Sequence, residues 1–249
     1  MIETPKQEAA NKASPLSKGT EKRVKFDFEP AASTWARFLA GEDERALKKI
    51  AKQQHGKLNW YRIDAIKAIA GAVPAGLAAG WSLVRIERDA PHQLEAESPS
   101  AVDNRMITFH GVTQHLHYTN TAQSRELDSR SHAELAPSQE TTAVLIPIGK
   151  SPDWWQLAQD RRQAHFQTGE EYPGHVAIGI EYVDRVHRKL YHSRYTEPPT
   201  AYDFLTYFEF ESRHKDDFNM LLHELRDTIR IPEWKHIALE YEIWMSKIG

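Results

Sequence analysis

The chain contains no cysteine among its 249 residues. This absence excludes a disulfide framework, a Cys-ligated zinc site, an iron–sulfur cluster, a thiolate-ligated haem and a cysteine nucleophile. Any metal or haem must therefore be held by His, Asp, Glu, Tyr or Met. The chain also lacks a strong excess of charge of either sign, since its formal net charge is −3. We therefore expect neither nucleic acid nor a membrane surface as a partner.

Long hydrophobic runs are scarce as well. The first 24 residues are polar and lack the apolar run of a signal peptide. We expect a flexible tail there and a cytoplasmic protein, or a periplasmic one if the chain is a mature form. The most apolar stretch, residues 68–84, contains Pro74 and glycines and is flanked by charges. It is short for a membrane-spanning helix, so we predict a buried segment.

The pattern of the first half is weak. Residues 24–28 alternate like a strand, and residues 34–54 carry apolar side chains at helical spacing after a possible Thr34 cap. Residues 81–87 and 106–118 are typical of strands. Residues 119–140 are rich in Ser, Thr, Glu and Gln, so we place the boundary between the two halves there and predict that residues 25–135 form the first half.

The second half, residues 141–249, has a clearer pattern. We predict strands at 143–148, 186–193, 204–210 and 238–245, with helices from Ser151 to about 183 and from 214 to 229. This β-α-β-β-α-β order is the ferredoxin-like arrangement. One such unit leaves a sheet face open, and a second copy in the first half would cover it. The sequence therefore predicts an α+β protein with two ferredoxin-like halves.

Four features of the second half are candidates for chemistry. Lys150 follows a predicted strand and precedes the tryptophan pair Trp154–Trp155, and His175 stands alone in an apolar run. Arg188 and residues 204–209 lie on predicted strands. Taken singly, the tryptophan pair and His175 are explained better by a structural role, and the other two features also have one, such as a solvated strand face or a central strand.

Taken together, these residues resemble the chlorite dismutase family of haem b proteins. The shared motifs are FHGVT (109–113), IPIxK-x3-WW (146–155), RKLYHS (188–193) and DFLTYFE (203–209), and His175 precedes Arg188 by thirteen positions as in that family. The clear match covers about residues 105–245. The resemblance implies that the two halves form an α+β barrel of the dimeric α/β-barrel superfamily, in which only the second half binds haem.

The resemblance also implies a role for individual residues. His175 would be the axial ligand of the haem iron, and Glu233 would accept a hydrogen bond from its other ring nitrogen. Lys150 would pair with that carboxylate or with a haem propionate. Arg188 would be the only charged group on the opposite, distal face of the haem. Five further residues would flank the haem or line its distal face: Trp154, Trp155, Leu190, Thr206 and Phe208.

The activity implied by the resemblance is the decomposition of chlorite to chloride and dioxygen, an oxidoreductase reaction. It proceeds by oxygen-atom transfer to ferric haem and formation of the O–O bond. Arg188 suits this role because a guanidinium is charged at every working pH and can hold two oxygens of a small anion. The length of the chain is similar to that of family members that form pentameric rings, so we expect a cyclic homo-oligomer, most simply a homopentamer.

The sequence departs from the family pattern in four places. About six extra residues separate Trp155 from His175, and the family usually carries residues like HTTPT at the proximal histidine where this chain has HVAIG, which leaves His165 as a rival iron ligand. The tail of the last helix, before Glu233, also differs. The turn that begins at Arg194 is also longer than usual. A related haem protein with a peroxidase-like, decarboxylase or non-catalytic role is therefore the alternative, although Arg188 and Ile146 stand where decarboxylases carry glutamine and tyrosine.

A non-haem metal site is a further hypothesis. It would use His110, His115 and His117, of which the last two share one face of a predicted strand. No carboxylate ligands are evident nearby in the sequence, so exposed strand histidines explain this pattern at least as well.

Overall fold

A computed structural model describes residues 33–89, 106–113, 121–138, 140–166 and 173–249. These residues belong to one compact unit. The described strands are β1 (Trp35–Gly41), β2 (Lys57–Ala70), β3 (Ser82–Arg88), β4 (Met106–Thr113), β5 (Thr141–Lys150), β6 (His187–His192), β7 (Phe204–Glu211) and β8 (Ile237–Lys247). The described α-helices are α1 (Glu44–Gln53), α2 (Thr121–Arg130), α3 (Pro152–Gln156), α4 (Gln159–Ala164), α5 (Gly174–Glu181) and α6 (Lys215–Arg226). Short 3-10 helices span Ser212–His214 and Pro232–His236.

The strands form a closed antiparallel barrel in the order β1-β3-β2-β8-β5-β7-β6-β4. Strands β1–β4 lie in the order β4-β1-β3-β2, and strands β5–β8 lie in the equivalent order β8-β5-β7-β6. Each set therefore has the strand order of a ferredoxin-like unit. The two sets meet along the long β2–β8 pairing and along a short β4–β6 pairing of two residue pairs. The predicted fold, two ferredoxin-like halves in an α+β barrel, is confirmed.

The helix predicted over residues 34–54 is wrong in its first part. Residues Trp35–Gly41 form strand β1, and the helix begins only at Glu44. Asp43 caps that helix, because its side chain accepts hydrogen bonds from the backbone N–H groups of Arg45 and Ala46. The barrel interior covers one face of β1 and α1 covers the other, so its apolar residues are consecutive and do not alternate.

The buried segment predicted over residues 68–84 is also wrong for most of its length. Strand β2 ends at Ala70, strand β3 begins at Ser82, and most residues of the connecting loop are exposed. Gly71, Gly76 and Gly80 have φ angles of 71°, 90° and 86°, a left-handed region that glycine adopts without steric cost. Within the described ranges, no helix is long and apolar enough to cross a membrane.

The four strands and the helix at 214–229 predicted for the second half are confirmed, with shifts of a few residues at their ends. Between Ser151 and residue 183 the described part has three short helices, and residues 167–172 lie outside the described residues. Ser151 caps α3 through its side chain, with a proline at the start of that helix, as predicted. Strands β3 and β4 in the first half are confirmed over Ser82–Arg88 and Met106–Thr113. The predicted tail (1–24), the predicted strand at 24–28 and residues 114–118 lie outside the described residues.

The alternation of side chains along β5–β8 creates two separate apolar clusters. Side chains that point inward fill the barrel, and we call them the barrel core: they include Leu145, Tyr191, Leu205, Tyr207, Tyr241 and Ile243. Side chains that point outward pack under α5 and α6, and we call them the outer cluster: they include Val144, Ile146, Ile148, Ile178, Phe208 and Phe218. Because successive residues of a strand face opposite sides, the same strands serve a core and a second, outer surface.

One end of the barrel is crossed by the segment before β5, residues 131–138. The Glu134 carboxylate in this segment contacts Lys57 Nζ at 2.8 Å, Arg85 Nη2 at 2.6 Å and Lys189 Nζ at 2.5 Å. These cations belong to β2, β3 and β6, so one carboxylate ties both halves together. Although burial by itself raises the pKa of Glu134, the Arg85 guanidinium and the two lysines hold it well below its usual range.

We predict that Glu134→Gln destabilises the protein by roughly 2–4 kcal/mol, because the change removes the nearer of the two carboxylates that face the completely buried Arg85 and leaves only Glu87 at 3.7 Å. Urea unfolding at pH 7 measures this loss. Glu140→Gln is the matched control, since Glu140 is exposed. Equal unfolding free energies for the two variants would show that the Glu134 contacts contribute nothing to stability.

Candidate functional site

The candidate site lies on the outward face of three neighbouring strands, β5, β7 and β6. Arg188 is paired with Phe208, and Leu190 is paired with Thr206, which in turn is paired with Ile146. Paired residues of antiparallel strands lie on one face of the sheet, so these five side chains share a surface that we call the shelf. The residues expected to line the distal face are thus neighbours in the structure.

Arg188 is the charged member of the shelf. Although the residue is exposed, burial lowers the pKa of its guanidinium, and the Glu233 carboxylate partly offsets this shift. Arg188 forms no ion pair with any residue that the structure describes, so its guanidinium is available to an anion.

His175 is the second residue of α5. Gly174 begins this helix with a φ of 70°, a value that glycine adopts readily. The Nδ1 atom of His175 lies 2.6 Å from Glu233 Oε2, and Phe166 contacts the imidazole edge-on with ring centroids 4.7 Å apart. The other nitrogen, Nε2, makes no hydrogen bond within the described part of the chain. Since Glu233 is ionised, Nδ1 carries the proton and Nε2 keeps a free lone pair.

Glu233 lies in the 3-10 helix Pro232–His236 and is only 4% exposed. Its other carboxylate oxygen lies 2.5 Å from the Nζ atom of Lys150. Burial by itself raises the pKa of Glu233, but the Lys150 ammonium and the His175 imidazole outweigh this effect and lower it to about 2. The carboxylate therefore stays ionised between its two partners.

Lys150 ends β5, where the pairing with β8 shifts register between Gly149 and Lys150. A bulge of this kind redirects a side chain at the end of a strand. The backbone N–H of Lys150 donates to Asp203 Oδ2 at 2.6 Å, which holds the end of the strand in place. The position of the ammonium beside Glu233 is therefore set by main-chain and side-chain contacts together.

The far end of α5 is attached to α6. The Tyr182 hydroxyl donates to Glu224 Oε1 at 2.8 Å, and Arg185 Nη1 lies 2.5 Å from Asp217 Oδ1. Burial, followed by the hydrogen bond to Glu224, raises the pKa of Tyr182 to about 12, so its phenol remains a donor. These contacts fix α5, and hence His175, relative to the sheet.

Trp154 and His165 lie together beside the Glu233–Lys150 pair. Trp154 is 2% exposed, Lys150 Nζ lies 4.5 Å from its ring centroid, and the rings of His165 and His236 lie 5.4 Å from it. Burial lowers the pKa of His165. His165 makes no hydrogen bond to Glu233, whereas His175 does. Of the two rival histidines, the structure brings His175 to the carboxylate.

Trp155 lies at the edge of the shelf and is half-buried. Its ring stacks on Phe204, with centroids 6.2 Å apart and an interplanar angle of 23°. Phe204 is paired with Ile148 and lies two residues from Thr206 on β7, so it belongs to the same outward face. The two members of the tryptophan pair therefore have different surroundings.

The sequence did not single out Phe166 or Asp203. Phe166 contacts His175 from a segment whose length differs from the family pattern, so no motif marked it. Asp203 accepts hydrogen bonds from Lys150 and from Arg194 Nη1. Asp203 begins the DFLTYFE motif, and an acidic residue immediately before a buried strand is the signal that could have indicated it.

The non-haem metal hypothesis finds no support in the described part of the molecule. His110 is buried on β4 and its Nε2 atom lies 3.0 Å from the carbonyl oxygen of Pro198. His115 and His117 lie outside the described residues. Among the residues that are described, no group of three or more His, Asp or Glu could hold a metal ion.

The family model for chlorite dismutase matches residues 42–246. The chain belongs to the chlorite dismutase family. The match spans both halves of the barrel and includes the shelf, His175 and Glu233. The resemblance seen in the sequence motifs is thereby confirmed.

Three similar proteins illustrate the relationship. A chlorite dismutase from Ideonella dechloratans is 32% identical over 127 residues, which are 51% of this chain and 40% of that protein. The match therefore spans less than half of that relative. A crystal structure of a dimeric chlorite dismutase from Nitrobacter winogradskyi is 28% identical, covers 84% of this chain and 99% of its own, and has a TM-score of 0.59. A chlorite dismutase from Candidatus Nitrospira defluvii in complex with imidazole, at 21% identity and a TM-score of 0.57, covers 86% of this chain and 91% of its own and shares the fold.

The Glu233 site predicts a dependence of stability on pH. The pKa of Glu233 is about 2 in the folded chain, below the ordinary value for glutamate, so its contribution is present above about pH 4.5 and lost as the pH falls towards 2. When the pH is lowered from 5 to 3, the unfolding free energy of the unchanged chain should fall. The unfolding free energy of Glu233→Gln should fall by roughly 1–2 kcal/mol less.

Urea unfolding at the two pH values measures this difference, with Glu140→Gln as the exposed control. The control should keep the pH dependence of the unchanged chain. If Glu233→Gln keeps it as well, the carboxylate is not held in its charged form by Lys150 and His175.

Proposed function

We propose that the protein is a haem b enzyme that decomposes chlorite to chloride and dioxygen. The observation that carries this proposal is the arrangement of two side chains, one on α5 and one on the sheet face beneath that helix. His175, held through Nδ1 by Glu233, comes from α5, and Arg188 comes from the shelf beneath that helix.

The residues present fit a haem. Nε2 of His175 is unpartnered within the described residues and has a lone pair for iron. Leu190, Phe208 and Ile146 are apolar residues of the sheet face beneath α5, and they would contact a bound macrocycle. When bound, the haem would supply the iron chemistry that takes an oxygen atom from chlorite and allows the O–O bond to form.

Lys150 and Glu233 would control the ligand itself. Lys150 keeps Glu233 ionised, and the carboxylate accepts the Nδ1 proton of His175 in a hydrogen bond. This bond selects the tautomer with Nε2 free and gives the imidazole partial anionic character. Phe166 limits rotation of the ring from its edge.

Arg188 would bind the substrate. Its guanidinium is free of described ion pairs and can hold two oxygens of a small oxyanion. The neighbouring apolar side chains exclude water, which strengthens that interaction and hinders escape of an oxychlorine product. Positioning and electrostatics are therefore the contribution of this residue.

The names of the similar proteins support the proposal, because the relatives from Ideonella and Nitrobacter are both described as chlorite dismutases. We also infer that the chain self-associates. The Nitrobacter protein is described as dimeric, whereas the chain length led us to expect a homopentamer. The solution mass, as a multiple of the 28.6 kDa chain, tests both numbers.

We predict that the purified chain binds haem with a histidine-ligated ferric spectrum and evolves oxygen from chlorite. His175→Ala should abolish that spectrum, because Nε2 of His175 is the iron ligand. Absorption spectroscopy and an oxygen electrode are the measurements.

His165→Ala is the matched control, since His165 is the rival ligand and lies in the same region. It should keep the spectrum. Loss of the spectrum in His165→Ala alone would reverse the assignment. If haem-loaded protein evolves no oxygen when chlorite is added, the result would favour a non-catalytic haem-binding protein.

We predict that Arg188→Ala keeps its haem but loses at least about tenfold in turnover or bleaches faster, because the transient oxyanion is no longer held. Oxygen evolution and the decay of haem absorbance during turnover measure both effects. Arg213→Ala removes an exposed arginine with an ion pair to Glu211 and should behave as the unchanged chain. Unchanged turnover and durability in Arg188→Ala would contradict the proposed anion-binding role.

A further inference from the structure

Trp155 has an unusual set of neighbours at the edge of the shelf. The guanidinium of Arg194 lies over its ring with the Cζ atom 3.8 Å from the centroid, and that of Arg162 lies at 5.6 Å. Two cations therefore contact one indole. Each contact is favourable, but the ring carries no negative charge, so the positive charge of the arginines remains. We call Trp155, Arg162 and Arg194 the rim.

The rim carries hydrogen-bond donors without acceptors. The Trp155 Nε1 atom and the Arg162 Nε atom are both buried and have no hydrogen-bond partner in the structure. A buried donor without an acceptor is rare and costs stability. An acceptor from outside the described residues would satisfy both donors.

The charges of the rim are only partly balanced. The charge of Arg194 is paired, since its Nη1 atom lies 2.7 Å from Asp203 Oδ1. Arg162 forms no ion pair with any part of the chain that the structure describes. The rim therefore has positive charge in excess, and an anionic acceptor fits it better than water.

The rim is continuous with the apolar shelf. Trp155 stacks on Phe204, and Phe204 shares its outward face of β7 with Thr206 and Phe208. A ligand that lay on the shelf would therefore meet donors and positive charge at this edge. This combination is complementary to an amphiphile with an apolar body and an anionic margin.

We propose that Trp155 Nε1, Arg162 and Arg194 bind the propionate carboxylates of the haem, and so decide which way round the macrocycle lies on the shelf. This inference rests on the proposed haem function and adds residues of this chain to it. Charge-assisted hydrogen bonds from guanidinium to carboxylate are strong and directional.

The location of the two arginines in the sequence supports a role specific to this chain. Arg162 lies in α4, within the longer segment between Trp155 and His175, and Arg194 begins the longer turn after β6. Both segments depart from the family pattern. The two longer segments thus each contribute one cation to the same indole.

A comparison of haem with its dimethyl ester tests the proposal, because the ester keeps the macrocycle and removes both carboxylate charges. Full-length apoprotein is titrated with each compound and binding is followed by visible absorption. Arg162→Met should weaken the binding of haem about tenfold and leave the binding of the ester within about twofold of the unchanged chain. Trp155→Phe, which keeps an aromatic side chain but has no N–H donor, should show the same selective loss to a smaller extent.

Arg161→Met is the matched control, because Arg161 is the exposed neighbour of Arg162 in the same helix. It should bind haem and ester as the unchanged chain does. Equal losses for Arg161→Met and Arg162→Met, or an equal loss for haem and ester in Arg162→Met, would overturn the proposal while haem binding stands. Absence of haem binding by the unchanged chain would refute the proposed function itself, and the rim assignment with it.

Discussion

The ionised carboxylate of Glu233 is the constraint on which the candidate site depends. A carboxylate that is 4% exposed is tolerated only when its charge is paired. Lys150 supplies the positive charge from the end of β5, and His175 supplies a proton donor from α5. Three elements that are distant in the chain are thereby held at one point. The orientation of the imidazole, and the nitrogen that it leaves free, both follow from this pairing.

The barrel allows this site to exist beside a well-packed interior. Along β7, Tyr207 points into the barrel core while Thr206 and Phe208 point outward to the shelf. A change on the shelf therefore alters the candidate site without opening the core, as expected when side chains alternate between faces. One end of the barrel is held by other contacts, because Glu134 forms ion pairs with cations from both halves.

Much of the second half could be predicted from the sequence, because α6 keeps a helical period and the motifs IPIxK-x3-WW, RKLYHS and DFLTYFE mark β5, β6 and β7, although β5 and β7 are buried on both faces. Strand β1 could not, because no such motif marks it and its consecutive apolar residues imitate a helix. The prediction of a buried segment at residues 71–81 was wrong because apolar composition is not by itself a sign of burial. Alanine and glycine are apolar by composition, but here they form turns at the surface, and burial depends on the neighbours that the fold provides.

The sequence by itself determined the family, the ferredoxin-like repeat and the residue types of the site, since motifs such as IPIxK-x3-WW and RKLYHS are local. It left His165 and His175 as rivals, because spacing along the chain does not say which ring meets Glu233. Only the tertiary structure decided that His175 does, and that Arg162 and Arg194 converge on Trp155. The physical reason is that hydrogen bonds and desolvation act over a few ångströms in space, between residues that the sequence separates by tens of positions.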